Sequence, residues 1–338
     1  MGAETQSMKS MLIAVGGNSL IRAGEKGTVS EQWANARRTA TAIVELIRSG
    51  FRIVVTHGNG PQVGAQLLRS ERTSDQVPGQ TLDVCGAASQ GEIGYLLAQS
   101  LCDELSMAGF TVPIASLVTQ TVVRIDDPAM QDPTKPIGPF YTRAEAEERQ
   151  RQLGWHIVED AARGYRRVVP SPEPIEIVEL EVVRSLIDRG VLVVACGGGG
   201  IPVVRSGAEL KGIEAVIDKD RASALLASEL GVDVFAISTD VDAVYLDYKK
   251  PLQRRLRSVT ASELEEYLRA GHFPPGNMGP KVESALRFLH NGGKEVIITS
   301  YEYLIEALAG RAGTRVVPDA SPTSAVAETQ IPLGVSGR

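Results

Sequence analysis

The apolar positions of the chain recur as short unbroken runs, each ending at glycine and followed by an amphipathic stretch. Met11-Leu12-Ile13-Ala14-Val15 leads into Gly16-Gly17-Asn18. From about Ser30 to Arg48, Trp33, Ala36, Ala40, Ile43, Val44 and Ile47 fall at three-to-four spacing, which predicts a helix. Thr28 and Glu31 have the spacing of a capping box at its start, and Gly50 closes it. Arg52-Ile53-Val54-Val55-Thr56 is a second buried strand; it runs into His57-Gly58-Asn59-Gly60 and then a helix. The unit returns as a helix over 175–189 and a strand over 191–195 ending in Gly197-Gly198-Gly199-Gly200. A helix over 221–230, a strand over 234–238, a helix over 280–290 and a strand over 295–299 follow. Strands apolar on both faces and alternating with helices predict an α/β fold with a mainly parallel sheet covered on both sides. In such sheets ligands sit beyond the carboxyl ends of the strands, where all three glycine clusters fall.

The segment from 119 to 170 breaks this rhythm. Val122-Val123-Arg124-Ile125 opens it, a loop punctuated by Pro128, Pro133, Pro136 and Pro139 follows, and Thr142 with Glu145 caps a highly charged helix to about Leu153. Short strands near 155–158 and 166–169 complete what reads as a small inserted α+β subdomain projecting from the sheet. Residues after Val317 are rich in Ser, Ala, Pro and Thr, the composition of a mobile tail. No internal repeat is visible.

Composition narrows the function classes. With 338 residues, 43% hydrophobic and 22% charged, the chain has ordinary globular usage and room for about two lobes. No apolar run reaches the ~18 residues of a membrane span, and residues 1–10 carry neither a secretory h-region nor, with Gln6, a myristoylation pattern. The net charge of −6 comes without a basic stripe, which argues against nucleic acid as partner. Three scattered cysteines, Cys85, Cys102 and Cys196, fit a reducing cytoplasm rather than a disulfide framework or zinc site, and the four histidines show no metal-ligand spacing.

Several chemistries fail on spacing. Gly58, Gly60 and Gly64 miss the Rossmann pattern, and no acidic residue follows at the required distance. There is no P-loop and no protein-kinase signature, and Ala87-x-Ser89-x-Gly91 lacks the first glycine of a nucleophile elbow. What remains points to anions. Gly16-Gly17-Asn18 alone reads as a tight turn, and His57 as a structural hydrogen-bonder. The four glycines at 197–200, however, are flanked by Val and Ile rather than by linker residues, which favours close approach to a ligand or backbone. Lys219 lies between Asp218 and Asp220, and Lys281 follows Met278-Gly279-Pro280. Either lysine alone reads as a solvated surface charge; two of them beside glycine loops, with an aspartate to orient both, suit phosphoryl oxygens. Lys135 sits in a loop stiffened by Pro133, Pro136 and Pro139, so that its reach is fixed.

Long ordered strings then resemble the carbamate kinases of the amino-acid kinase superfamily, over about 11–317. They are Gly16-Gly17-Asn18, Thr56-His57-Gly58-Asn59-Gly60-Pro61-Gln62-Val63-Gly64, Leu82-Asp83-Val84-Cys85-Gly86-Ala87, Asp132-Pro133-Thr134-Lys135-Pro136-Ile137-Gly138-Pro139-Phe140-Tyr141, Arg163-Gly164-Tyr165-Arg166-Arg167-Val168-Val169-Pro170-Ser171-Pro172, Gly197-Gly198-Gly199-Gly200-Ile201-Pro202, Lys211-Gly212-Ile213-Glu214-Ala215-Val216-Ile217-Asp218-Lys219-Asp220, and Gly271-His272-Phe273 with Met278-Gly279-Pro280-Lys281. The resemblance implies a three-layer αβα sandwich and a cytoplasmic homodimer. It implies a lobe over 11–205 for carbamate or carbamoyl phosphate and a lobe over 206–317 for nucleotide. The implied reaction is reversible phosphoryl transfer between MgATP and carbamate, used in many organisms to make ATP at the end of arginine breakdown. By position, Gly16, Gly17, Asn18, Gly58, Asn59, Gly60, Gly198 and Gly199 would surround the substrate. Lys219 and Lys281 would neutralise the phosphoryl oxygens, Asp220 would hold both lysines, and Lys135 would reach in from the insertion. Asp218, Thr239, Asp240, Val241, Tyr245, Met278 and Gly279 would shape the nucleotide site, with Mg2+ carried by the nucleotide and no protein metal site. Ser19 stands where alanine is common in this family, Cys196 where serine is common, and Pro274-Pro275-Gly276-Asn277 where an Ala-x-Gly-Ser type string is usual. Two other readings stay open: a kinase of the same fold for another small acid, and a non-catalytic sensor of nucleotide or carbamoyl phosphate.

Overall fold

The computed structural model describes residues 8–16, 20–22, 24–160, 164–274 and 278–319. The chain begins with β1 (Ser10–Val15), α1 (Val29–Arg48), β2 (Arg52–His57), α2 (Gly60–Arg72), α3 (Leu82–Met107), β3 (Ile114–Ser116) and β4 (Gln120–Val123). Then come β5 (Lys135–Tyr141), α4 (Arg143–Leu153), β6 (Ile157–Asp160), β7 (Gly164–Val169), β8 (Pro174–Ile177), α5 (Leu180–Asp188), β9 (Leu192–Val194), β10 (Ile201–Ser206) and β11 (Glu209–Gly212). The last part holds α6 (Lys219–Leu230), β12 (Val234–Ser238), β13 (Tyr245–Leu246), β14 (Arg254–Arg255), β15 (Ser258–Thr260), α7 (Ala261–Arg269), α8 (Met278–His290), β16 (Glu295–Thr299), α9 (Leu304–Leu308) and β17 (Thr314–Val317).

An eight-stranded sheet, in the order β15-β17-β16-β12-β1-β2-β9-β3, forms the middle layer. Every pairing is parallel except β16 with β17. The alternation of a strand makes both of its faces interior. Leu12 and Ala14 of β1 face a core shared with α5, α6, α7 and α8, whereas Met11, Ile13 and Val15 face one shared with α1, α3 and α9. This is the αβα sandwich that the sequence predicts. Because β1, β2, β9 and β12 run parallel and adjacent in the order β12-β1-β2-β9, Gly16, His57–Gly60, Cys196–Gly200 and Thr239–Asp242 emerge on one edge.

A second sheet, β11-β10-β4-β8, lies in the segment around the glycine turn, and a third, β5-β7-β6, carries α4. Thus β4, at the start of the predicted insertion, pairs with β10 and β8, while residues 135–169 make the separate sheet. The capping boxes at Thr28–Glu31 and Thr142–Glu145 both form, and Gly154 ends α4 in the left-handed conformation at φ 64°.

Two sequence expectations need correction, and one element was missed. The helix predicted from 175 begins at Leu180, because Pro174–Ile177 is strand β8, with Ile175 half exposed and Ile177 buried in strand alternation. The strand predicted near 155–158 is β6, over Ile157–Asp160. The 26-residue α3 was not predicted at all. It carries Gly86, Gly91 and Gly94 and is apolar around much of its girth, so no single face stands out in the sequence.

Candidate functional site

Asp218 is the N-cap of α6: its carboxylate accepts from the N–H groups of Asp220 (2.9 Å) and Arg221 (3.4 Å). Lys219 and Asp220 therefore occupy the first helical turn. Asp220 is 3% exposed and both its oxygens are taken, Oδ1 by Lys219 Nζ at 2.5 Å and Oδ2 by Lys281 Nζ at 2.9 Å. Lys281 comes from the first turn of α8, so one carboxylate ties two helix starts together. Lys135 arrives from β5 and donates to Asp218 Oδ2 at 2.8 Å.

The electrostatics follow from this bridging. Burial would raise the pKa of Asp220, but two ammonium groups hold it well below the usual carboxylate range. Burial likewise opposes a low pKa for Asp218, and Lys135 overcomes it. Lys219 is shifted down by burial, with a further push from Lys281, while Asp220 pulls it back up. Lys281 also pays desolvation, yet the attraction of Asp220 wins and raises it. The two lysines differ in their neighbours as well as in desolvation: Lys219 is pushed down by Lys281, whereas Lys281 is drawn up by Asp220, Asp218 and Asp240.

These groups line a cleft of about 460 Å³ with Gly58, Asn59, Gly60, Gly198 and Arg166. Asn59 is the N-cap of α2 and makes no side-chain cap, so its amide is free to donate to Ser89 Oγ at 2.8 Å. Opposite lies the turn Cys196–Gly200, in which Gly198 (φ 66°), Gly199 (φ 92°) and Gly200 (φ 88°) are left-handed. A Cβ on Gly198 would come within 2.2 Å of the Asn59 amide, so glycine permits the two loops to close on each other. Cys196 is also left-handed, at φ 49°, and its buried thiol is pushed far above its ordinary pKa by desolvation. His57 is buried beside Gly197 with Nδ1 3.0 Å from the Gly58 carbonyl; burial first, then Lys219, lowers its pKa to about 4. It is neutral at physiological pH.

A second pocket, about 60 Å³, is lined by Thr239, Asp240, Val241, Tyr245 and Met278, together with Tyr248 and Phe273. The first turn of α8 joins the two spaces, since Met278 lines one and Lys281 the other.

Of the residues singled out in the sequence, Lys135, Lys219, Asp220, Lys281, Gly58, Asn59, Gly60, Gly198 and Asp218 thus share one cleft, and five of the nucleotide set share the other. Asp218, expected with the nucleotide set, lies in the cleft with Lys135 instead. Gly199 lies beneath the cleft surface against the Ile217 carbonyl, and Gly279 is buried with its N–H on the Pro274 carbonyl. Gly16 follows β1 but does not line the cleft, and Gly17 and Asn18 lie outside the described residues, as do Ser19 and Pro275–Asn277. Arg166 was missed. Its Nε donates to Gly138 O at 3.1 Å, and the guanidinium lies 5.2 Å over Phe140 while facing the cleft. Its sequence signals were the Arg166-Arg167 doublet within a strand and its place in a string, 163–172, that resembles the carbamate kinases. A larger cleft, about 560 Å³, lies beyond β5, but the Arg149 and Arg167 side chains on it are committed to Glu71 and Glu214.

Residues 9–300 match the amino acid kinase family. The chain belongs to that family, as the parallel sheet with its glycine loops and lysine-bridged cleft leads one to expect. Carbamate kinase of Thermococcus kodakarensis is 48% identical over 313 residues, spanning 92% of this chain and 99% of that protein. Carbamate kinase 1 of Enterococcus faecium is 48% identical over 88% of this chain and 94% of its own length. The solved carbamate kinase from Giardia lamblia bound to AMP-PNP superposes with a TM-score of 0.88 at 43% identity, covering 93% of this chain and 99% of that one. Within the family the chain's place is among the carbamate kinases, and it is a phosphotransferase.

Proposed function

We propose that the protein catalyses ATP + carbamate = ADP + carbamoyl phosphate in the cytoplasm, running toward ATP where arginine is broken down. The observation that carries the site assignment is the Lys219–Asp220–Lys281 bridge facing the glycine turns in one cleft. Phosphoryl transfer needs alignment and spread positive charge rather than covalent help. Lys219 and Lys281 neutralise the equatorial oxygens of the migrating group from fixed positions. Asp220 keeps two like charges from separating. Carbamate attacks as an anion already, so no base is required, in keeping with a neutral His57. Asn59, the start of α2 and Gly198 hold the small substrate on one side. Thr239–Val241, Tyr245 and Met278 hold the nucleotide on the other, and the start of α8 spans the path between them. Lys135 reaches in from β5 and exchanges its partner Asp218 for substrate oxygens.

Mg2+ belongs to the nucleotide in this scheme. Asp218 and Asp220 are held by ammonium groups, and among the described residues no three His, Cys, Asp or Glu side chains gather as a metal-binding set. When bound, the ion screens the phosphate chain; the protein's own part is the lysines.

A homodimer is part of the proposal. Val84, Ala88, Gly91, Tyr95 and Cys102 are exposed along α3, with Ala98 partly so, at alternating spacings of four and three. That is the seam by which a helix packs against a copy of itself, on a helix whose other side packs against β3, the last strand in the order of the main sheet.

The decisive assay is ATP formation from ADP and carbamoyl phosphate. Lys281→Ala is expected to lower kcat by about 10²-fold or more, as for other preorganised charge stabilisers. Near-normal turnover by that variant would refute the assigned role.

A further inference from the structure

Two consecutive residues of α3 reach the two loops that close on each other at one side of the cleft. Ser89 accepts from Asn59 and donates to Gly86 O at 2.6 Å. Gln90, 3% exposed, uses both ends of its amide. Its Nε2 donates to Gly197 O and to Thr119 O, both at 3.0 Å, and its Oε1 accepts from the Thr119 N–H at 2.7 Å. Gly197 belongs to the glycine turn. Thr119 precedes β4, from which the chain departs for the sheet that carries Lys135. Thr119 also grips the turn from its other side, its Oγ1 accepting from the Cys196 N–H at 3.1 Å. There is no slack: a Cβ on Gly197 would lie 3.0 Å from Gln90 Cγ and 2.5 Å from the His57 ring.

A methionine or leucine would fill this volume, so packing alone does not call for a carboxamide. Three hydrogen bonds to the backbone of two separate loops do. We propose that Gln90 is a positioning residue for phosphoryl transfer. It sets the Cys196–Gly200 turn at the height where the substrate anion meets it, and locks that turn to the root of the segment bearing Lys135. It touches no substrate and acts through Gly197. The inference rests on reading the cleft as the phosphoryl-transfer site, but its content is the placement of the turn. Without the Gln90 amide, the carbonyls of Gly197 and Thr119 keep only their backbone donors, the N–H groups of Gly200 (3.1 Å) and Ile201 (2.9 Å), and the side-chain tie from α3 to both loops is lost, which lets the turn relax.

Gln90→Met keeps the length and removes every hydrogen bond. Gln90→Glu keeps the shape and the acceptor for Thr119 N–H but withdraws at least one of the two donors, and serves if the first variant does not fold. Each is measured by steady-state kinetics and by hydrogen exchange of peptides covering 117–121 and 195–201. The expected result is a rise of about tenfold in KM for carbamoyl phosphate with KM for ADP within about twofold. Exchange should be faster at 195–201, while peptides from β12 and β16 keep wild-type rates. A residue that only packs would lower the active fraction and loosen α3 at large with both KM values unmoved; that pattern, or wild-type exchange at 195–201, overturns the proposal. If the wild-type protein forms no ATP from carbamoyl phosphate, the parent reading fails, and the exchange measurement still decides whether Gln90 holds the turn.

Discussion

Asp220 carries an unusual load for one side chain: it is buried, ionised and shared by two ammonium groups. Its folded pKa is depressed, so the stability it contributes is present above the unfolded carboxylate pKa and is lost as pH falls through the lower folded value. Asp220→Asn keeps the shape but leaves Lys219 and Lys281 repelling each other in a desolvated space. Kinetics on this variant should show a kcat loss of about 10²-fold or more, with a lowered apparent melting temperature. His57 gives the complementary case. A histidine whose folded pKa has fallen to about 4 contributes stability that is complete above the unfolded value near 6.5 and drains away as pH drops between the two. The drain is about 1.4 kcal/mol per pH unit. Urea melts of wild type and His57→Asn at pH 7.5 and 5 test it, the variant being expected to lose less stability on acidification; parallel losses would contradict the burial of a neutral ring. The lysines and Asp220 were legible in the sequence because charge beside glycine-ended strands is conspicuous. Gln90 was not: a glutamine in an unrecognised helix has no local signal, and only the fold brings Gly197, 107 positions away, to its amide.

At the scale of the element, the glycine turn is the part most sensitive to a single added carbon. Gly199 is left-handed, and a Cβ there would stand 2.6 Å from the Ile217 carbonyl, just ahead of the N-cap of α6. Backbone, not a flexible tip, must then move, and Lys219 moves with it. Gly199→Ala should abolish most activity, whereas Gly207→Ala, also at positive φ but with open space around it, should cost about 1 kcal/mol and leave the rate intact. Equal activity of the two variants would show that the turn tolerates displacement. The capped helices α1 and α4 were legible because a Thr-x-x-Glu start fixes their phase. The strand β8 was masked by its position, since Ile175 and Ile177 run directly into the apolar positions of α5 and mimic a helical face. The long α3 was masked by its glycines and by an exposed side that is itself small and apolar.

For the whole molecule, parallel topology does most of the arranging. Four neighbouring strands that all end on one edge gather loops from distant parts of the chain without any need for long connections. That much was readable from alternating apolar runs and amphipathic helices, as was the sandwich. The pairing of β4 with β10 and β8 was not, because strand partners within short sheets leave no periodicity behind. The net charge of −6 coexists with a cleft that Lys135, Lys219, Lys281 and Arg166 line together with Asp218 and Asp220. Anion capture at that cleft should weaken with added salt, seen as a rise in KM for carbamoyl phosphate. The exposed seam on α3 belongs to this scale too. Sedimentation equilibrium is expected to find a dimer for the wild type and a monomer for Tyr95→Glu; an unchanged mass would move the interface elsewhere.

Cys85 and Cys196 are buried, their thiols shifted upward first by desolvation, while Cys102 stands in the open on the seam of α3. A maleimide dye therefore has one address per chain in the folded protein. Its rate of attachment there reads whether a second subunit covers the helix, slow in concentrated solution and quick after dilution, with no mutation introduced.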